Sequence, residues 1–249
     1  MKRFKPLELF EINQELTVKK IKIDDAIILI IDNFYKNPDR LRELILETPV
    51  PIWKNTHDSL NFKQYYDCRH DFGFYDELPC LHSLSSIISH YYEFIYDRSN
   101  DVRFLTNTFQ WIEDQPFNVV GNKVHTDDLN TMAVSVFFNK EDELNGGTAI
   151  YRSKHTGHTS LLPEEEFIGP IEDGQCYYDN QWEDNFLLEH VVSMQYNRCI
   201  VHPGRLYHGA YHINNSFKDF PRISQITFIP SEFNTSLKKE YDQNRLDTD

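Results

Sequence analysis

Between residues 102 and 230 the apolar residues come in short runs, each about the length of one strand and bounded by turn residues. Met132-Ala133-Val134-Ser135-Val136-Phe137-Phe138, Thr148-Ala149-Ile150-Tyr151, Tyr196 to Val201 and Ile223 to Ile229 are the clearest. Runs of this length, rich in β-branched and aromatic residues, predict strands rather than helices. The 18 Phe, 14 Tyr and 3 Trp favour the same β-rich body. Upstream, Ala26-Ile27-Ile28-Leu29-Ile30-Ile31 is a continuous apolar run and predicts a buried strand.

Two helices are predicted before the β-rich part. Asn37 as N-cap and Pro38 at the first helical position start one over 38–48, with Leu41, Leu44 and Ile45 on its apolar face. Leu81, Leu84, Ile87, Ile88, Tyr91, Phe94 and Ile95 repeat at three and four and predict another over 79–97. Residues 1–25 are mixed and polar and read as a lead-in strand or arm. Residues 52–78 are aromatic and polar, and read as loops and short strands over the mouth of a site. Residues 152–190, with Glu164-Glu165-Glu166, read as an acidic insertion, and 231–249 as a charged tail. No internal repeat or linker divides the chain, so a single domain over 1–249 is expected, with 26–101 as its strand and supporting helices and 102–230 as its β core.

Within that frame His125 and Asp127 stand two apart in Val124-His125-Thr126-Asp127, just before an apolar run. On an extended strand such residues share a face, so one imidazole and one carboxylate can converge. A third donor comes much later, in Leu206-Tyr207-His208-Gly209. Two histidines and one carboxylate form the facial triad that suits Fe(II) with open positions opposite. Fourteen residues after His208, Pro221-Arg222-Ile223-Ser224 opens a strand-like run, with Arg222 and Ser224 alternating onto one face. A guanidinium there fits a carboxylate bidentately. His202, His212, His155, His158 and His190 are rival third donors; His208 is preferred for its spacing to Arg222 and its flanking Tyr207 and Gly209.

The order His-x-Asp, long gap, His, then Arg-x-Ser at the head of a strand resembles the Fe(II)/2-oxoglutarate-dependent dioxygenase superfamily, in its prolyl-4-hydroxylase-like branch. Tyr65-Tyr66-Asp67-Cys68-Arg69 is similar to a signature of a bacterial subgroup without an assigned substrate, and Gly146-Gly147 resembles the glycine turn of many members. The resemblance covers residues 26–230. It implies a double-stranded β-helix (jelly roll, cupin-like) backed by the N-terminal helices. It implies that His125, Asp127 and His208 hold Fe(II), and that Arg222 and Ser224 anchor the far carboxylate of 2-oxoglutarate. O2 is the other co-substrate, and succinate and CO2 are the products beside a hydroxylated amino acid, peptide or small metabolite. Tyr151, Arg152, Gln110 and Asn107 are expected to line the co-substrate pocket from neighbouring strands; Trp53, Tyr65, Tyr66 and Arg69 are candidates for substrate contact. Two other readings stay open: a catalytically silent jelly-roll binding protein, and a Zn-dependent hydrolase using the same His-Asp-His set.

Charge and composition narrow the partners. With 25 Lys and Arg against 39 Asp and Glu, the chain carries a formal charge of −14. Nucleic acid and anionic membrane surfaces attract basic proteins, so neither is expected as a partner. No run approaches a spanning helix and no signal peptide is read at the N-terminus. Cys68, Cys80, Cys176 and Cys199 show no C-x-x-C spacing, which points to a cytoplasmic protein. The sequence leaves the oligomeric state open.

Overall fold

Strand β2, Ala26–Asp32, is buried at every position, and its alternate residues enter different apolar clusters. Ile27, Leu29 and Ile31 pack with Leu41, Ile45, Leu84 and Ile88 of two helices. Ala26, Ile28 and Ile30 pack with Ile150 and Val192 of a second sheet. A strand covered on both faces has no polar side to show, which is why its sequence is unbroken apolar. The structure is a computed structural model and describes residues 6–48, 54–55, 67–70, 80–92, 107–112, 124–127, 131–144, 146–161, 178–179, 182–211, 217 and 219–230.

The larger sheet contains β1 (Thr17–Ile23), β2, β3 (Lys54–Asn55), β4 (Asp67–His70), β5 (Asn107–Ile112), β7 (Thr131–Phe137), β11 (Cys199–Pro203) and β13 (Arg222–Pro230). Its order is β1-β2-β11-β7-β13-β5-β4-β3. The smaller sheet contains β6 (Val124–His125), β8 (Gly147–Ser153), β9 (Tyr178–Asp179), β10 (Phe186–Ser193) and β12 (His208–Tyr211), in the order β10-β8-β12-β6-β9. Neighbours in both sheets run antiparallel. The molecule is thus β-rich with few helices, and its two sheets share an apolar layer as in a sandwich or jelly roll. That layer includes Ile28, Phe137 and Ile200 from the large sheet and Ile150 and Val192 from the small one.

A single-turn α1 (Pro6–Leu9) precedes β1, and helices α2 (Pro38–Glu47) and α3 (Cys80–Tyr91) lie on the opposite face of the large sheet. Pro38 starts α2 as expected, but Asn37 makes no side-chain cap, so the proline alone marks the start. Tyr92, following α3, is fully buried, and its hydroxyl accepts the Ile27 N–H at 2.7 Å and donates to the Ile27 carbonyl. The β2–β11 pairing has ended at Leu29, so Tyr92 satisfies backbone groups beyond the ladder.

The 152–190 stretch needs correction. Rather than one polar insertion it includes Arg152 and Ser153 of β8 and the first half of β10, an edge strand. Leu187 and Leu188 of β10 are exposed and its register shifts between Leu188 and His190, so the two-residue alternation that reveals a strand is broken. Most of 52–78, the end of the 79–97 helix and the 231–249 tail lie outside the described residues. At the start of β8, a Cβ on Gly147 would come within 2.1 Å of the Val192 carbonyl oxygen, so only glycine lets β10 approach there. No described helix is long and apolar enough to cross a membrane.

Candidate metal centre

β6 is two residues long and places His125 directly opposite His208 of β12. Their ring centroids are 4.3 Å apart. Two residues beyond His125 on the chain, Asp127 is fixed by its backbone N–H, which donates to the Gly204 carbonyl at 2.7 Å. Gly204 lies in the turn between β11 and β12, so one hydrogen bond ties the carboxylate to the segment that carries His208. The His208 Nε2 is 3.2 Å from Asp127 Oδ2, and the His125 Nε2 is 3.7 Å from Asp127 Oδ1.

One donor atom from each of the three residues lies within 4.8 Å of the others. Ligand bonds of about 2.0–2.2 Å at right angles put adjacent donors about 3 Å apart, so the set is near the spacing that one cation requires. His125 is half-buried and Asp127 and His208 are buried. Among the described residues this is the one grouping of three or more potential ligands of this kind.

The tautomer of His208 is set by its surroundings. Its Nδ1 is 2.8 Å from the Leu206 carbonyl oxygen, which can only accept, so Nδ1 carries hydrogen and Nε2 is the donor atom for a cation. Burial alone would raise the Asp127 carboxyl, but the charge and hydrogen bond of His208, followed by His125 and His202, lower it to about 2. Burial likewise lowers His208, and Asp127 outweighs it, raising the imidazole above its ordinary value. Asp127 and His208 thus favour each other's charged forms, and a divalent cation would act on Asp127 in the same sense as that positive charge.

His202, a rival to His208 as third ligand by sequence, is a neighbour of the site. It sits on β11, is 2% exposed, and its ring lies edge-on to His208 at 4.4 Å. Its Nδ1 is 3.0 Å from the Pro203 carbonyl oxygen. Burial first, and then His208, push it down to about 3, so it is a neutral imidazole beside Asp127 and His208. It does not join the three-donor grouping. Strand parity from Ile200, which enters the inter-sheet layer, was the signal available for its inward position.

Arg222 and Ser224 are 3% and 0% exposed on β13. Ile223 between them packs on the helix side, so both polar residues face the inter-sheet layer. The Arg222 guanidinium lies over the Phe137 ring at 5.1 Å, and Nη1 donates to Gln110 Oε1 at 3.0 Å. The Ser224 Oγ is 3.4 Å from both Arg222 Nη1 and Gln110 Oε1. Gln110, a candidate for lining the co-substrate pocket, is the shared partner of both.

Other candidates lie elsewhere. Tyr151 does not join this layer: Ile150 shares it with His208, its register partner, whereas Tyr151 packs with Val124, Phe186 and Tyr207. Adjacent strand residues point to opposite faces, so Tyr151 belongs to the far side of the small sheet and its assignment to the co-substrate pocket is corrected. Burial pushes its phenol up, in keeping with that packed position. Arg152 pairs with Asp24 and Glu189, and Arg205 with Asp25. Arg69 is on β4 and Asn107 opens β5, whereas Trp53, Tyr65 and Tyr66 lie outside the described residues. Comparison of the chain with family models, with curated proteins and with solved structures finds no match.

Proposed function

We propose that this chain is a non-haem Fe(II)/2-oxoglutarate-dependent dioxygenase that hydroxylates an amino acid, a peptide or a related small metabolite. The observation that carries this reading is the convergence of His125, Asp127 and His208 donor atoms within 4.8 Å of one another. Residues from β6, the segment after it and β12 supply them, and a buried arginine faces the same inter-sheet layer. Two neutral imidazoles and one carboxylate suit a divalent first-row metal and leave other coordination positions for ligands.

The proposal extends to the fold. The strands from β5 to β13 fall in the large, small, large, small, small, large, small and large sheets when the two-residue β9 is left aside. That alternation supports a double-stranded β-helix, in which one winding chain supplies both sheets.

Iron with bound 2-oxoglutarate and O2 supplies the oxidising power for C–H hydroxylation, with succinate and CO2 as the other products. The chain's own residues have distinct tasks. The Leu206 carbonyl holds the His208 ring with Nε2 facing the donor cluster. Asp127 contributes one negative charge, and its low proton affinity keeps that charge in place through the neutral pH range. Arg222 offers a planar fork to the far carboxylate of the co-substrate. Phe137, Ile150, Ile200 and Leu206 give the layer apolar walls that limit water.

The test is anaerobic titration with Fe(II) and then 2-oxoglutarate, followed by exposure to O2. One Fe(II) per chain, a weak visible charge-transfer band and succinate formation are expected. Metal binding without the band or succinate would reject the dioxygenase reading.

A further inference from the structure

Gln110 stands directly opposite Ser224 in the β5–β13 ladder and is 6% exposed. Its Oε1 accepts from Arg222 Nη1 at 3.0 Å and from Ser224 Oγ at 3.4 Å, closing a triangle of polar side chains in the inter-sheet layer. A primary amide and a carboxylate have nearly the same shape but differ by a full charge. Glutamate at this position would place a buried carboxylate against the guanidinium and pair its charge directly. The glutamine orients the same fork while contributing no negative charge.

We infer that Gln110 is a specificity-determining residue, holding Arg222 in position while keeping the pocket receptive to a carboxylate ligand. The inference rests on Arg222 being the co-substrate anchor of the function proposed above. The ligand class is a small dicarboxylate, one end of which meets Arg222. A second carboxylate about 5–6 Å from the ligand's own would weaken binding by roughly a hundredfold at an effective dielectric of about 20.

The experiment compares full-length wild type, Gln110→Glu and Gln110→Leu by calorimetric titration with 2-oxoglutarate and, separately, succinate, each with and without Co(II). Expected affinities fall in the order wild type, Leu variant, Glu variant. The Glu variant loses at least about thirtyfold and the Leu variant less than about tenfold. Co(II) affinity stays within about twofold in all three, and the Glu variant melts no lower than wild type. A Glu variant that binds within about threefold of wild type, or a Leu variant that loses as much as the Glu variant, overturns the inference. Should wild type bind succinate yet give no chelate band with 2-oxoglutarate, the dioxygenase reading fails and the succinate ranking still decides this one. Should wild type bind neither acid, the Arg222–Gln110 triangle is not a carboxylate site and the inference falls.

Discussion

His125 and His208 occupy one rung of the small sheet, on strands far apart in sequence, with ring centroids 4.3 Å apart. Sheet register alone fixes their separation, and the Asp127–Gly204 backbone bond then holds the carboxylate against both. A site built on paired strands is positioned before any cation arrives. His208→Ala removes one of three donors and is expected to abolish stoichiometric Fe(II) or Co(II) binding. His202→Phe keeps the ring contact with His208 and is expected to retain one metal per chain. Metal analysis after gel filtration checks both; full stoichiometry in the His208 variant would show that the ligand set is misassigned.

Arg222→Lys keeps a positive charge but loses the planar fork, and the two side chains are not equivalent at a bidentate site. The loss of a charge-assisted bond costs about 1.5–3 kcal/mol, or on the order of ten- to a hundredfold in affinity. 2-Oxoglutarate affinity is expected to fall by that factor in the metal-loaded protein, while Co(II) affinity is unchanged. Calorimetry separates the two constants, and an unchanged co-substrate affinity would remove Arg222 from the site.

Asp32 and Arg198 form a pH-dependent clamp between β2 and the start of β11. Arg198 Nε and Nη2 meet the two carboxylate oxygens at 2.6 and 3.1 Å. Burial raises the Asp32 carboxyl, but the hydrogen bond and charge of Arg198, with Lys19, bring it below its ordinary value. A carboxyl lowered by folding stabilises the protein fully above its unfolded value of about 3.9, and that contribution is lost as pH falls through the folded value. Asp32→Asn is expected to cost about 1–3 kcal/mol at pH 7, with the gap to wild type closing below about pH 4. Urea denaturation at several pH values measures it; an equal gap in acid would contradict the linkage.

What the sequence disclosed depends on how many faces of each strand are covered. β2 and β7 are enclosed on both sides and read as apolar runs, and α2 was legible from its starting proline and its apolar face. β10 is a bulged edge strand with exposed Leu187 and Leu188, so its pattern did not stand out from the polar segment before it. The spacing of His125 and Asp127 carried a common face because two residues is the strand period. Tyr151 failed on parity: both faces of β8 are buried, and nothing in Thr148-Ala149-Ile150-Tyr151 says which residue meets the donor cluster. Gln110 owes its importance to its rung with Ser224 on a distant strand, and His202 to a ring contact with His208 from one sheet to the other. No local pattern records such contacts.

Tyr92 offers a test of the fold that leaves the metal centre alone. Its hydroxyl satisfies both the N–H and the carbonyl of Ile27, where β2 continues past its pairing with β11. Burial pushes the phenol well above its ordinary value, so it remains a neutral donor and acceptor across the working pH range. Tyr92→Phe keeps the ring in the helix-side cluster and removes only the oxygen. Two buried backbone groups are then left unsatisfied, at a cost of about 1–3 kcal/mol each before relaxation. For a chain of this size each kcal/mol lowers the melting temperature by about 2–4 °C. The variant is therefore expected to melt several degrees below wild type with Co(II) stoichiometry intact. A melting temperature equal to wild type would mean that Tyr92 does not hold the end of α3 to β2, and a parallel loss of metal would mean that this contact supports the centre as well as the fold.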